Sequence, residues 1–84
     1  MKIYDFNGKA NLAGPQIRYY RKKAKWTQEQ LAAKLQVEGL SLEQKYISRI
    51  EKQERFLADF ELYLIARVLS VPVDDLLNPK EKDS

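Results

Sequence analysis

Neither cysteine nor histidine occurs anywhere in this chain of 84 residues. Without cysteine there are no disulfides and no thiolate metal sites. Without histidine as well, zinc fingers and imidazole acid–base catalysis are excluded. With only three glycines, the chain has no glycine-rich loop of the kind that cradles phosphates. The longest apolar run, Leu62 to Ala66, is far too short to span a membrane or form the core of a signal peptide. These absences lead us to expect a cytoplasmic protein that is not an enzyme and uses no cofactor, metal, small-molecule ligand or membrane.

What is present fits one small domain. A chain of this length has room for a single core and folds alone with a modest margin. The net charge of +3 says little, but its distribution says more. From Gln16 to Lys25 there are five basic residues and no acid (Arg18, Arg21, Lys22, Lys23, Lys25), whereas Leu57 to Ser84 carries three basic and six acidic residues. A polyanionic partner would meet the N-terminal half.

The stretch WTQEQLAAKLQVEGLSLEQKYISRIE, from Trp26 to Glu51, reads as two helices joined by a tight turn. Thr27 is followed three residues on by Gln30, and Ser41 by Gln44, so each helix opens with the pattern of a capping box, which satisfies otherwise orphaned amides. Gly39 suits the left-handed position after Glu38, and Leu40 is then placed to fold back on Leu35 as the apolar contact of a Schellman cap. A turn of about three residues is the length of a helix-turn-helix. A generic helical hairpin would carry the same signals, so the surface chemistry of the second helix has to separate the two readings.

Turning Ile47 and Ile50 toward a core, at about 100° per residue, puts Lys45, Ser48, Arg49 and Lys52 on the opposite face with Gln44 at its border. Arginine and lysine suit the guanine edge and glutamine suits adenine; serine pairs with several partners. A solvated helix face has the same composition, and it is the helix-turn-helix context that favours contact with bases.

Taken together, IRYYRKKAKWTQEQLAAKL, YISRIEKQERF and LYLIARVLSVPVDDLL resemble the phage-repressor-like (XRE) helix-turn-helix family over about Gly14 to Asn78. The resemblance implies an all-α fold, a compact five-helix bundle of the lambda-repressor-like kind, in which helix 3 (about 42–52) reads the major groove and helix 2 lies across it. By position, Gln28 matches the family's phosphate-contacting glutamine, and Gln44, Lys45 and Arg49 match positions that face bases.

There are departures from the family pattern. Eleven residues separate Leu35 from Ile47, several more than in the short family form, so helix 2 is expected to run a turn longer and helix 3 to start earlier. Which of Ser41 to Gln44 reaches the groove stays open, and Ser41 is kept as a candidate. Where the family has a glycine and a basic pair after helix 3, this chain has Lys52, Gln53, Glu54 and Arg55. Glu54 would repel a phosphate, which leaves Lys52 and Arg55 as backbone contacts. Lys25 replaces a common glycine before helix 2, and a positive φ there costs about 1 kcal/mol.

If Ile17, Tyr20 and Ala24 form the buried stripe of helix 1, Arg21 falls beside it while Arg18 and Lys22 point outward. Glu51 likewise lies beside the Ile47 and Ile50 stripe. Arg21 and Glu51 are therefore expected to form a partly buried ion pair between helices 1 and 3, as the resemblance also implies. Leu62, Ile65, Ala66 and Leu69 repeat at helical spacing, so Asp59 to Leu69 reads as helix 4 with Asp59 as its N-cap. Val73 to Leu77 reads as a short helix 5, in which Asp74 and Asp75 complement the helix dipole rather than bind a metal.

The organisation expected is an N-terminal arm at 1–12, a DNA-binding domain at 13–78 and a mobile polar tail at 79–84. The arm, with Ile3, Tyr4 and Phe6 before a turn-like Asn7-Gly8, either packs on its own domain, exchanges with a partner or is disordered, and Lys2 and Lys9 are alternatively placed to reach DNA. The function expected is sequence-specific binding of double-stranded DNA by a repressor-like transcriptional regulator. It would act as a homodimer on a palindromic operator, with contacts among Val71, Val73, Leu76 and Leu77. The alternative is an interaction module, such as an antitoxin or adaptor, that works only with a protein partner.

Overall fold

A computed structural model describes residues 6–78; the expectations for Lys2, Ile3, Tyr4 and the tail from Pro79 on lie outside the described residues. Five helices follow in order: α1 (Gly14–Lys23), α2 (Gln28–Val37), α3 (Gln44–Glu51), α4 (Asp59–Leu69) and α5 (Val73–Leu77). Among the described residues there is no strand. An isolated bridge between Phe6 and Lys9 closes the Asn7-Gly8 turn, where both residues have positive φ. The all-α five-helix bundle expected from the resemblance is the fold observed. No helix of the described residues is long and apolar enough to cross a membrane.

The core draws on every helix. Ile17, Leu31, Leu35, Ile47, Ile50, Ile65 and Leu76 are fully buried, each worth about 1.5 to 3 kcal/mol of apolar transfer. α1 opens with a proline in its first turn, where the missing N–H costs nothing. Asn11 Oδ1 accepts from the Gly14 N–H at 2.8 Å. Position 14 must be glycine because α1 starts directly against the end of α3, and a Cβ would run into the carbonyl oxygen of Ile50.

The α2 cap forms as the sequence predicts. The Gln30 N–H donates to Thr27 Oγ1 at 3.0 Å, and the Thr27 N–H donates to Gln30 Oε1 at 2.8 Å. At the other end the Leu40 N–H reaches Leu35 O at 2.9 Å and the Gly39 N–H reaches Gln36 O at 3.0 Å, with Gly39 at φ 93°. This is the Schellman pattern, and the buried Leu40 and Leu35 complete it.

α3 departs from expectation. It starts at Gln44 with Glu43 as N-cap, so Ser41 caps nothing and lies exposed two residues upstream. Leu40 and Leu42 are both buried, as alternate residues of an extended stretch are when one side faces a core. Starting the helix at Leu42 would turn that side chain away. Burying a leucine is worth about 1.5 to 3 kcal/mol, whereas a side-chain cap is worth about 1 kcal/mol, so the leucine decides where the helix begins. Residues 38–43 therefore form the connection between α2 and α3.

Three smaller corrections follow from packing. The N-cap of α4 is Ala58, not Asp59, and its N–H donates to Glu61 Oε1 at 3.0 Å. Ala24 is an exposed C-cap residue because α1 ends at Lys23; Gln16 and Arg21 join Ile17 on the buried side instead. Leu76 is fully buried in the core and is not available to a partner, while Leu77 is exposed.

Candidate nucleic-acid interface

α3 is the most strongly two-sided element of the chain. Ile47 and Ile50 go into the core, Gln44, Lys45 and Arg49 are exposed, and Ser48 is half-buried. Lys52 is the exposed C-cap residue. Ser41 stands apart from this face, in the extended connection.

α3 is held to its neighbours by a run of polar contacts. Arg21 Nε donates to Glu51 Oε2 at 2.7 Å and Arg21 Nη2 to Oε1 at 3.1 Å, with the two side chains 8% and 2% exposed. Arg21 Nη1 donates to the Trp26 carbonyl at 2.7 Å, fixing the turn that precedes α2. Gln28, the first residue of α2, donates from Nε2 to Glu51 Oε1 at 3.0 Å. Its Oε1 accepts from Gln44 Nε2 at 3.4 Å. One carboxylate thus ties together the end of α1, the start of α2 and the end of α3, and through Gln28 the start of α3. Such a pair fixes geometry more than it adds net stability, because desolvation offsets much of the attraction.

Arg55, expected as a backbone phosphate contact, is engaged within the fold. Nη1 donates to the Phe56 carbonyl at 2.9 Å and to Glu61 Oε1 at 3.0 Å, and Nη2 donates to Glu61 Oε2 at 3.2 Å. The guanidinium also lies over the rings of Tyr46 and Phe56. Glu61 is buried and, besides this pair, closes the first turn of α4. Lys45 reaches Glu43 at 3.8 Å, an exposed pair of little energetic weight.

Sequence reasoning missed Asn11. Its Nδ2 donates to the carbonyls of Ile50 at 3.1 Å and Arg55 at 2.8 Å, so it ties the segment before α1 to the end of α3 and the loop beyond. The Ala10 N–H donates to Gln53 O at 3.0 Å, and Gln53 Nε2 donates back to Asn11 O at 3.1 Å. No short motif announces these contacts. The only signal was the apolar content of the segment, which set it apart from a plain tail. Among the described residues no group of three His, Cys, Asp or Glu side chains is placed to hold a metal.

A family described as helix-turn-helix matches residues 17–76, well over half of the chain. No curated protein matches the chain as a relative.

Proposed function

The chain belongs to the phage-repressor-like (XRE) helix-turn-helix family, and from that premise we propose that it is a sequence-specific double-stranded DNA-binding transcriptional regulator of the repressor kind. Residues 13–78 form the binding unit, with the arm before it and the tail after it. α3 enters the major groove, Gln44, Lys45, Ser48 and Arg49 face base edges, and Gln28 and Lys52 meet the phosphate backbone. The observation that carries this reading is the polar chain from Arg21 through Glu51 and Gln28 to Gln44. It fixes α2 against α3, and a groove-reading helix needs its side chains held to a few tenths of an ångström for bidentate pairing.

A single α3 covers only a few base pairs, so specific binding calls for a homodimer on a palindromic operator, with half-sites about one helical turn apart. With Leu76 committed to the core, Phe60 and Tyr63 of α4 and Leu77 of α5 are among the exposed large apolar side chains, beside Phe6, Leu12 and Val37 elsewhere, and they are the ones nearest in sequence to the contact expected with a second copy. The same aromatic surface favours a second reading, an antitoxin- or adaptor-like module that binds DNA only in complex with a different protein.

Selection of bound duplexes from a random pool tests both. The first reading expects the purified chain to enrich a palindrome with a fixed half-site spacing. No enrichment by the chain alone, with enrichment once a co-purified partner is added, favours the second. No enrichment under either condition removes both.

A further inference from the structure

The outward side of α1 carries charge that the contacts described so far do not use. From Asn11 to Gln28 the chain has no acidic residue. Arg18 and Lys22, one helical turn apart and both exposed, line a concave surface with Pro15, Tyr19, Lys23 and Glu51. Glu51 is the sole carboxylate there among the described residues, and its oxygens already hold Arg21 Nε and Nη2 and Gln28 Nε2. It is buried and cannot turn outward to neutralise the cations beside it. Lys23 lies over the Tyr19 ring, whereas among the described residues neither Arg18 nor Lys22 has a side-chain hydrogen-bond or ion-pair partner. The concavity adjoins the proposed interface, since Glu51 on its wall is bonded to Gln28, and Gln28 to Gln44.

We propose that Arg18 and Lys22 together bind a phosphodiester of the DNA backbone flanking each half-site, which extends the interface from α2 and α3 onto the outer side of α1. Two cations on one ridge, without a side-chain partner among the described residues and next to a carboxylate that is already neutralised, create a local field suited to a phosphate. The contact carries no sequence information and contributes register and affinity. It lies on side chains that leave the core untouched, so their removal does not threaten folding.

The inference rests on the DNA-binding reading above, and the experiment keeps the two apart. Affinity is measured by fluorescence anisotropy against salt concentration, on a selected duplex and on a random one, for wild type, Arg18→Ala, Lys22→Ala and Lys34→Ala. Lys34 is the control, a cation stacked over Trp26 in a concavity shared with Arg67 of α4, away from α3. Arg18→Ala and Lys22→Ala are each expected to lower the salt slope, together by about 0.9 because they share one phosphate, and to weaken both duplexes by the same factor. Lys34→Ala should leave the slope unchanged. A wild-type slope retained in both α1 variants overturns the site while the DNA-binding reading stands. Equal loss in Lys34→Ala overturns it too, because the effect would then be one of net charge. A wild type with no salt-dependent binding to either duplex overturns both.

Discussion

Arg55 grips Glu61 through both terminal guanidinium nitrogens, at 3.0 and 3.2 Å, and so fastens the loop after α3 to the first turn of α4. Glu61 gains a third hydrogen bond from the Ala58 N–H. The pair is partly buried, with side chains 25% and 9% exposed, which places its value between that of a surface pair and a fully desolvated one.

The position has a measurable consequence. Arg55→Ala and Glu61→Gln should each destabilise the fold by about 1 to 3 kcal/mol, since each leaves a largely desolvated charged or polar group without its partner. Arg55→Ala should leave the salt slope of DNA binding near that of wild type, because the guanidinium serves Glu61. A slope reduced by about 1 would return Arg55 to the phosphate contacts expected from sequence.

Arg21 and Glu51 are more deeply buried, and their loss should be felt more. Glu51→Gln leaves the Arg21 guanidinium uncompensated, at a cost of about 3 to 5 kcal/mol. Urea denaturation measures this directly. A variant that unfolds at the wild-type midpoint would mean that the pair holds nothing together. Gln28 should report the same change from the other side, since it shares Glu51 Oε1 with Arg21 Nη2.

What could be read from the sequence depended on how local its cause was. The Thr27 and Gln30 box, the Gly39 and Leu40 cap and the bounds of α4 and α5 rest on residues within a turn of one another, and periodicity carries that information. Ser41 misled because its box competed with burial of Leu42, a tertiary effect. Arg55 and Glu61 meet across the start of a helix at a spacing that belongs to no motif. Asn11 joins partners 39 and 44 residues away, which local pattern cannot report. In the candidate interface, the exposed residues of α3 were legible from the Ile47 and Ile50 stripe. The bonding of Gln28 to both Glu51 and Gln44 was not, because it needs three elements placed at once.

Backbone strain offers an independent test. Lys25, Gln53 and Ser70 adopt the left-handed region, with φ of 66°, 64° and 60°. Replacing a strained residue there by glycine removes a steric cost of about 1 to 2 kcal/mol, less the extra entropy glycine brings to the unfolded chain. Lys25→Gly and Ser70→Gly should therefore raise the melting temperature by a few degrees, at about 4 to 8 °C per kcal/mol for a domain of this size. Gln53→Gly should gain less, since it also loses the hydrogen bond from Gln53 Nε2 to Asn11 O. A fall in melting temperature for Ser70→Gly would show that the left-handed turn is not under strain.

Arg49 is the sharpest test of the reading helix, because it is exposed and no fold contact depends on it among those described for α3. If it pairs with a base edge, Arg49→Ala should cost about 1 to 3 kcal/mol on the selected duplex and relax the preference at one position of each half-site. Binding to random DNA should fall much less. Gln28→Ala should behave otherwise, weakening binding to all sequences while freeing Gln44, so that any preference set by Gln44 blurs at a second position. The two patterns separate a base reader from a residue that holds the backbone and orients its neighbour. Should Arg49→Ala leave both affinity and preference unchanged, α3 is not the element that reads DNA.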